Sequence, residues 1–404
     1  MQRVAQDWLV LQLTGNNGTA LGITTGLQFL PILLLSPYAG LIADRFPKRR
    51  LLQVTQLMIA VPAAMLGVLA LTGVAQTWHV YLLAFIFGIG TAFDGPARQA
   101  FVSEMVGPDD LTNAVGLNSA SFNAARLVGP GLAGVLIAAL GGGVQATGWV
   151  IVLNALSYGA VIFSLQRMRT SELDTPEPVG RDKGMIREGF AYVRSRPDVM
   201  LILTIVFFAG TFGLNFQMTS ALMATEVYHE GATEYGLLGT TMAIGSLAGA
   251  LLAARRGRPR HRLVILSAIA FGVSEIVAGL LPSYLTFAIW TPVLGLTALT
   301  MITAANATVQ LSVSPALRGR VMALYMMIFM GGTPLGAPIV GWVGETFGAR
   351  WTLIGGGGLT VLGTLLAVVM FSRAKGLNTP ENRREVRQRV SAGGRSMLQR
   401  AMAH

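Results

Sequence analysis

Few charged side chains interrupt the apolar stretches of this 404-residue sequence, and those few are the ones able to do chemistry. A charge surrounded by hydrocarbon is costly and persists only where it is paired, hydrated or used. With a helical rise of about 1.5 Å per residue, Asp7 lies about 9 Å from the end of its segment at Leu13. Arg126, counted from Leu111, has climbed about 22 Å to a similar level. The two can pair, and a carboxyl beside cations is a group that can gain and lose a proton. Arg3 competes for the same carboxylate, because Arg3 and Asp7 stand i,i+4 on one helix face. A purely structural ion pair accounts for these residues equally well.

The other intramembrane charges read differently. Asp94 lies about 21 Å along its segment from Val80, with Arg98 one turn further on. Both approach one end, where Asp94 suits partnership with Lys48 or Arg49 better than contact with a ligand. Glu275 falls mid-segment and reads as structural. The amides Gln28, Asn123, Asn215, Gln217, Asn306 and Gln310 offer hydrogen bonds either to a ligand or between helices. There is no cysteine, and no nucleophile with a base, metal cluster or phosphate-binding loop emerges, so no enzyme, cofactor or metal is expected.

Those residues are carried by membrane-spanning elements. The chain is 52% hydrophobic and 12% charged, with mean hydropathy +0.58, against about 25% charged in a soluble domain. A crossing of roughly 30 Å takes about 20 apolar residues. Apolar segments fall near 1–13, 19–43, 51–73, 80–101, 112–140 and 148–165, then 200–225, 235–254, 263–281, 284–311, 321–342 and 351–371. Without disulfides, packing must rest on the 49 glycines, which let backbones approach closely. The expectation is an all-α integral membrane protein of twelve transmembrane helices in two pseudo-symmetric six-helix bundles. Residues 1–165 form one bundle and 200–371 the other. Residues 166–199 make a central loop, whose stretch 184–196 has the spacing of an amphipathic surface helix. Residues 372–404 are a basic tail. The segment 1–13 reaches only about 20 Å as a helix, so the first span reads as truncated and Met1 as an internal methionine. A short first helix that thins the bilayer is the alternative.

Lys and Arg accumulate in cytoplasmic loops. Of the 30 basic residues, 26 fall in alternate loops and the tail, which places both termini in the cytoplasm. The net charge of +11 is thus topological, with attraction to membrane lipids and no call for nucleic acid. The halves also repeat. Gly40 to Arg45 aligns with Ala250 to Arg255 at an offset of 210, and Gly129 and Gly134 match Gly336 and Gly341 at an offset of 207.

The loop Gly40 to Arg50, GLIADRFPKRR, resembles the signature loop of the major facilitator superfamily. Gly40, Asp44, Arg45, Lys48 and Arg49 fit it, while Pro47 replaces a glycine. The resemblance implies a cytoplasmic gate in which Asp44 is the acid, with Asp94 and Arg98 nearby; the second copy has Ala254 instead. Gly129-Pro130-Gly131 with Gly134 is similar to the fifth-span motif of the superfamily's antiporters, which implies a hinge, although ordinary small-residue packing fits as well. The phrases MQRVAQDWLVLQLTG, FDGPARQAFVSEMVGPDDLTNAVGLNS and FNAARLVGPGLAG resemble the enterobactin exporter and macrolide efflux branch. That implies a monomer in the cytoplasmic membrane, exporting a drug-like or siderophore-like small molecule against protons by alternating access. Asp7, Arg126 and Arg3 would couple the proton, and the six amides would line the cavity. An importer of the same fold and a non-transporting sensor or scaffold are the rivals.

Overall fold

The computed structural model describes residues 1–107, 109–170, 173, 190, 192–255, 261–313 and 315–372; at 37, 40, 41, 44, 103, 112, 254, 315, 316, 319 and 372 it describes the backbone alone. All regular structure among these residues is helical: α1 (Gln2–Thr14), α2 (Gly18–Arg45), α3 (Lys48–Leu71), α4 (Thr77–Met105), α5 (Leu111–Ala139), α6 (Val144–Arg167), α7 (Pro197–Val227), α8 (Ala232–Arg255), α9 (His261–Leu280), α10 (Tyr284–Ser312), α11 (Pro315–Phe347) and α12 (Ala349–Ser372). Among the described residues, eleven of these are long and apolar enough to cross a membrane; α1, with 13 residues, is the shorter exception. The expected segments and the observed helices coincide to within a few residues, except that α11 begins several residues earlier than its apolar stretch. Of the amphipathic stretch 184–196, residues 190 and 192–196 are described, helical at 190 and 192–194, and the rest lies outside the described residues, as the tail almost wholly does.

Local chemistry sets the ends. Gly15 adopts φ +62°, the left-handed conformation that closes a helix, and ends α1. The Asn17 side chain then accepts from the Ala20 N–H and starts α2. Ser283 and Thr286 exchange bonds at the start of α10. Arg350 is the one basic residue in a loop that positive-inside counting leaves on the wrong side. Its guanidinium donates to the Gly279 and Leu281 carbonyls at 2.9 and 2.7 Å, satisfying the end of α9.

α7 is not a uniform helix. α-Helical Pro197–Phe208 passes into a π-turn at Ala209–Gly213, then helix resumes at Phe216–Leu222 and widens again at Met223–Val227. Such bulges mark places where the backbone departs from the i→i−4 ladder.

Packing repeats with an offset of six helices. α2 packs on α4 as α8 does on α10; α3 packs on α6 as α9 does on α12. Between the two sets, α2 meets α11 and, six helices on, α8 meets α5. Lipid gives little hydrophobic drive between helices, so association rests on close van der Waals contact and polar bonds.

Candidate functional site

The helices joining the two halves touch over only part of their length. The loops α2–α3, α4–α5, α6–α7, α8–α9 and α10–α11 share the basic end of the molecule; α1–α2, α5–α6, α7–α8 and α11–α12 share the far end. Along α2 and α11, contact runs from the far end to mid-depth. A Cβ on Gly18 would lie 2.7 Å from the Gly341 carbonyl, and one on Gly26 3.0 Å from Pro338. Along α5 and α8, Gly236 meets the Pro130 carbonyl and Gly134 in the same way. Of the glycines paired by repeat in the sequence, Gly134 and Gly341 are seam residues, whereas Gly129 lies near the Met1 nitrogen and Gly336 packs on Thr211 of α7 within its own half. Toward the basic end the helices part, and from Val115 to Phe122 α5 is exposed on every face. The close contacts of α2 with α11 and of α5 with α8 thus lie toward the far end, and α5 is exposed toward the basic end.

Asp7 sits at this seam, 1% exposed. Its Oδ2 accepts from the Tyr235 hydroxyl of α8 at 3.1 Å, a bond between the halves. Tyr235 is itself buried and stacks on Trp8, ring centroids 6.3 Å apart, and Gln217 of α7 is the next polar neighbour of its hydroxyl. The rest of the polar face of α1 is committed to its own half: Gln6 donates to Gln28 at 3.1 Å, and Asn154 donates to Gln2 at 3.1 Å. Gln12 donates to the Gly142 carbonyl and accepts from Thr147, tying α1 to the α5–α6 turn.

The expected Asp7–Arg126 pair does not form: among the described residues Asp7 makes no ion pair. Arg126 is exposed on the open part of α5. Arg3 places its guanidinium 5.0 Å over the Phe29 ring, and the charges of Arg3 and Arg126 act on each other. Equal depth along two helices does not ensure that two side chains point toward each other, which is why spacing alone brought the wrong partner to Asp7.

The Gly129-Pro130-Gly131 segment carries a feature that no sequence signal announced. The Thr240 hydroxyl of α8 donates to the Leu127 carbonyl at 2.9 Å and accepts from the Gly131 N–H at 3.1 Å. These two backbone groups are i→i−4 partners in an ordinary helix. Pro130 already lacks an N–H, so a side chain from the other half completes the ladder of α5 at this point.

At the basic end the motif residues brace the amino-terminal half from within. Lys48 pairs with Glu104 of α4 at 2.9 Å, both side chains under 10% exposed. Arg49 donates to the Leu165 and Gln166 carbonyls at the end of α6, at 2.6 and 2.9 Å. Arg45 is exposed. Asp94, expected to meet Lys48 or Arg49, instead accepts from Thr55, Gln56 and Arg98, at 3.0, 2.7 and 3.1 Å. Glu104 and the α6 carbonyls are closer to the basic side chains and take them. At Gly40 and Asp44 the backbone alone is described, so the Asp44 carboxylate lies outside the described structure. Of the amides, Gln28 is bonded to Gln6, Asn306 accepts from Gln310 one turn away, and Asn123 donates to the Ser119 carbonyl of its own helix. Asn215 is 1% exposed and bonds the Thr211 carbonyl within the α7 break, so it does not face open space. Gln217 alone of the six reaches the Asp7 cluster.

The profile of the transmembrane secretion effector family matches residues 1–389. The chain belongs to this family and is a membrane transporter of the major facilitator type, not an enzyme. It is 29% identical to the multidrug efflux pump Tap of Mycolicibacterium fortuitum over 364 residues, 87% of each chain. It is 25% identical to macrolide efflux protein A of Streptococcus pyogenes, covering 87% of this chain and 88% of that one. Its identity to the staphyloferrin A transporter of Staphylococcus aureus (strain NCTC 8325 / PS 47) is 26%, over 86% of each. In fold it is similar to a bacterial homolog of the human lysosomal transporter Spinster in an inward-facing, occupied conformation (TM-score 0.66, 18% identity, 92% and 94% coverage). It is similar also to a POT family transporter in complex with 5-aminolevulinic acid (TM-score 0.70, 12% identity, 93% and 94% coverage).

Proposed function

We propose that this transporter exports a drug-like or siderophore-like small molecule from the cytoplasm in exchange for protons, by alternating access between two six-helix bundles. In this reading α1 is the first of twelve spans, the basic end faces the cytoplasm, and the far end faces out. Support for the orientation is the sequence count of 26 of 30 basic residues in alternate loops and the tail. Support for export is the efflux proteins among the relatives. The described conformation is then the one that receives substrate from the cytoplasm.

The observation that carries the coupling is Asp7, a buried carboxylate whose hydrogen-bond donor belongs to the other half. An ionised carboxylate holds Tyr235 and with it the closed outer seam, since hydrogen bonds to a charged group are the strong ones. Gain or loss of a proton on Asp7 changes the strength of that bond, which links the proton to the state of the outer seam. Arg3 stands one turn away on the same helix, with its guanidinium over the Phe29 ring rather than on the carboxyl.

The test is substrate flux in proteoliposomes under an imposed pH gradient. Wild type should accumulate substrate against its gradient when protons run the other way. Asp7→Asn should lose gradient-driven flux while retaining substrate binding and downhill exchange. Full pH-driven flux in Asp7→Asn refutes the assignment, and uptake driven in the opposite sense establishes the importer instead.

A further inference from the structure

Glu275 lies away from Asp7, in the interior of the carboxyl-terminal half, and nothing in the coupling above uses it. It is 2% exposed on α9, makes no hydrogen bond or ion pair among the described residues, and leaves its Oε2 buried without a partner. No charged side chain of any neighbouring helix acts on it. An ionised carboxylate left so would cost several kcal/mol, so a cation must accompany it.

Three helices converge on this group because their glycines remove side chains there. A Cβ on Gly213 of α7 would lie 2.8 Å from Glu275 Oε2 and 2.9 Å from Thr360 Oγ1 of α12, so both oxygens flank one point on the α7 backbone. A Cβ on Gly357 of α12 would lie 2.9 Å from the Glu275 Cβ, and one on Gly356 2.6 Å from the Phe212 carbonyl. Thr360 directs its hydroxyl hydrogen to the Gly356 carbonyl at 2.8 Å, which leaves its lone pairs available. Gly213 closes the π-turn of α7, after which the helix is interrupted. That same break holds two further buried oxygens without a partner, Thr211 Oγ1 and Asn215 Oδ1. An interrupted helix supplying backbone and side-chain oxygens beside a carboxylate is the way membrane transporters build ion sites. One negative charge matches a monovalent cation; the harder divalent ions take more oxygen ligands, commonly with more than one carboxylate.

We propose that Glu275 and Thr360, at the break in α7, form a second cation site that binds one monovalent cation, a proton or a sodium ion. The groups facing the carboxyl are Phe271 of its own helix, Gly213 of α7, and Gly357 and Thr360 of α12, none of which titrates. The neutralised carboxyl permits the close packing of α7, α9 and α12. Its loss of the cation would drive those helices apart.

The test is binding to the purified full-length protein, which does not depend on flux or on Asp7. Thermal unfolding is followed at fixed pH in sodium, potassium and choline chloride, and infrared spectra are recorded across a pH series in the absence of sodium. If sodium is the occupant, it should raise the unfolding midpoint by several degrees relative to potassium, and Glu275→Gln and Thr360→Val should lose that rise. If a proton is the occupant, wild type should show the carbonyl stretch of a protonated carboxylic acid that fades as pH rises and is missing from Glu275→Gln. Should Glu275→Gln fail to fold, Gly213→Ala keeps the carboxyl while crowding the site, and should diminish whichever signal wild type shows. Absence from wild type of both the sodium-specific stabilisation and a titrating carboxyl band overturns the proposal.

Discussion

The two seams between the halves share a backbone and differ in their polar pins. At both, a glycine near the end of one helix meets the first turns of its partner: Gly341 against Gly18 and Gly22, Gly134 against Ala232 and Gly236. Gly134 and Gly341 are a pair repeated in the sequence at an offset of 207. At the α2–α11 seam the pin is Glu345, which accepts from the Asn17 side chain at 2.7 Å and the Thr19 N–H at 3.2 Å, and it is exposed. At the α5–α8 side the pins are buried or half-buried: Tyr235 on Asp7, and Thr240 in the ladder of α5. The repeat thus supplies close approach twice, whereas polar control is concentrated on one side. An asymmetric pair of seams lets one act as a hinge line while the other responds to a titratable group.

The largest effect should follow from Tyr235→Phe. The ring still fills its place against Trp8, but Asp7 loses its hydrogen-bond donor while remaining buried. Leaving a buried acceptor unsatisfied costs about 1–3 kcal/mol, so the closed outer seam should lose roughly thirtyfold in population at the middle of that range. Spin labels at cysteines introduced at 143 and 230, in a chain with no native cysteine, report the distance across this side. A distance distribution identical to wild type would mean that the Tyr235–Asp7 bond does not hold the seam.

A smaller effect is expected from Thr240→Val, which keeps the shape and removes the hydroxyl. Two bonds between the halves vanish, but the Gly131 N–H and Leu127 carbonyl can close on each other and restore an ordinary helical rung. Only part of about 1 kcal/mol per bond should therefore be lost. Hydrogen exchange at the Gly131 amide should slow if the rung forms, and Thr240→Ser should restore wild-type exchange. Equal exchange in all three proteins would show that the hydroxyl does not enter the ladder.

How far the sequence discloses this arrangement depends on whether a feature is local. Helix spans follow from hydropathy summed over about 20 residues, and the paired glycines follow from a repeat, so both are legible. Asp7 is legible as an acid too deep to be idle. Its partner is not, because Tyr235 is 228 positions away on another helix and a tyrosine near a helix start carries no distinguishing pattern. Asp94 and Arg98 at i,i+4 were a local signal, and that signal was the true pairing. The break in α7 is hidden because Ala209 to Asn215 reads as continuous apolar helix; only the two glycines, Gly210 and Gly213, hint at weak propensity. Thr240 gives no sign at all, since its role depends on which face of α5 it meets.

The smallest effect belongs to Glu345→Gln. The carboxylate lies at the last turns of α11 and meets the first turn of α2, where unpaired N–H groups and the helix dipole favour negative charge. Glutamine keeps one acceptor oxygen, enough for either Asn17 or Thr19, but turns an NH₂ toward the other donor. The group is exposed, so water replaces the lost bond at little cost, and salt screens what remains of the charge. The outer seam should therefore loosen slightly, and only at low ionic strength. Thr14 and Glu345 line one cavity of about 480 Å³ at the far end, so a cysteine at position 14 reports the opening directly. Its labelling by a membrane-impermeant thiol reagent should rise modestly in Glu345→Gln at low salt and match the parent at high salt. A large rise that persists in high salt would move the controlling pin from Asp7 and Tyr235 to Glu345, and the contrast between the two seams would be reversed.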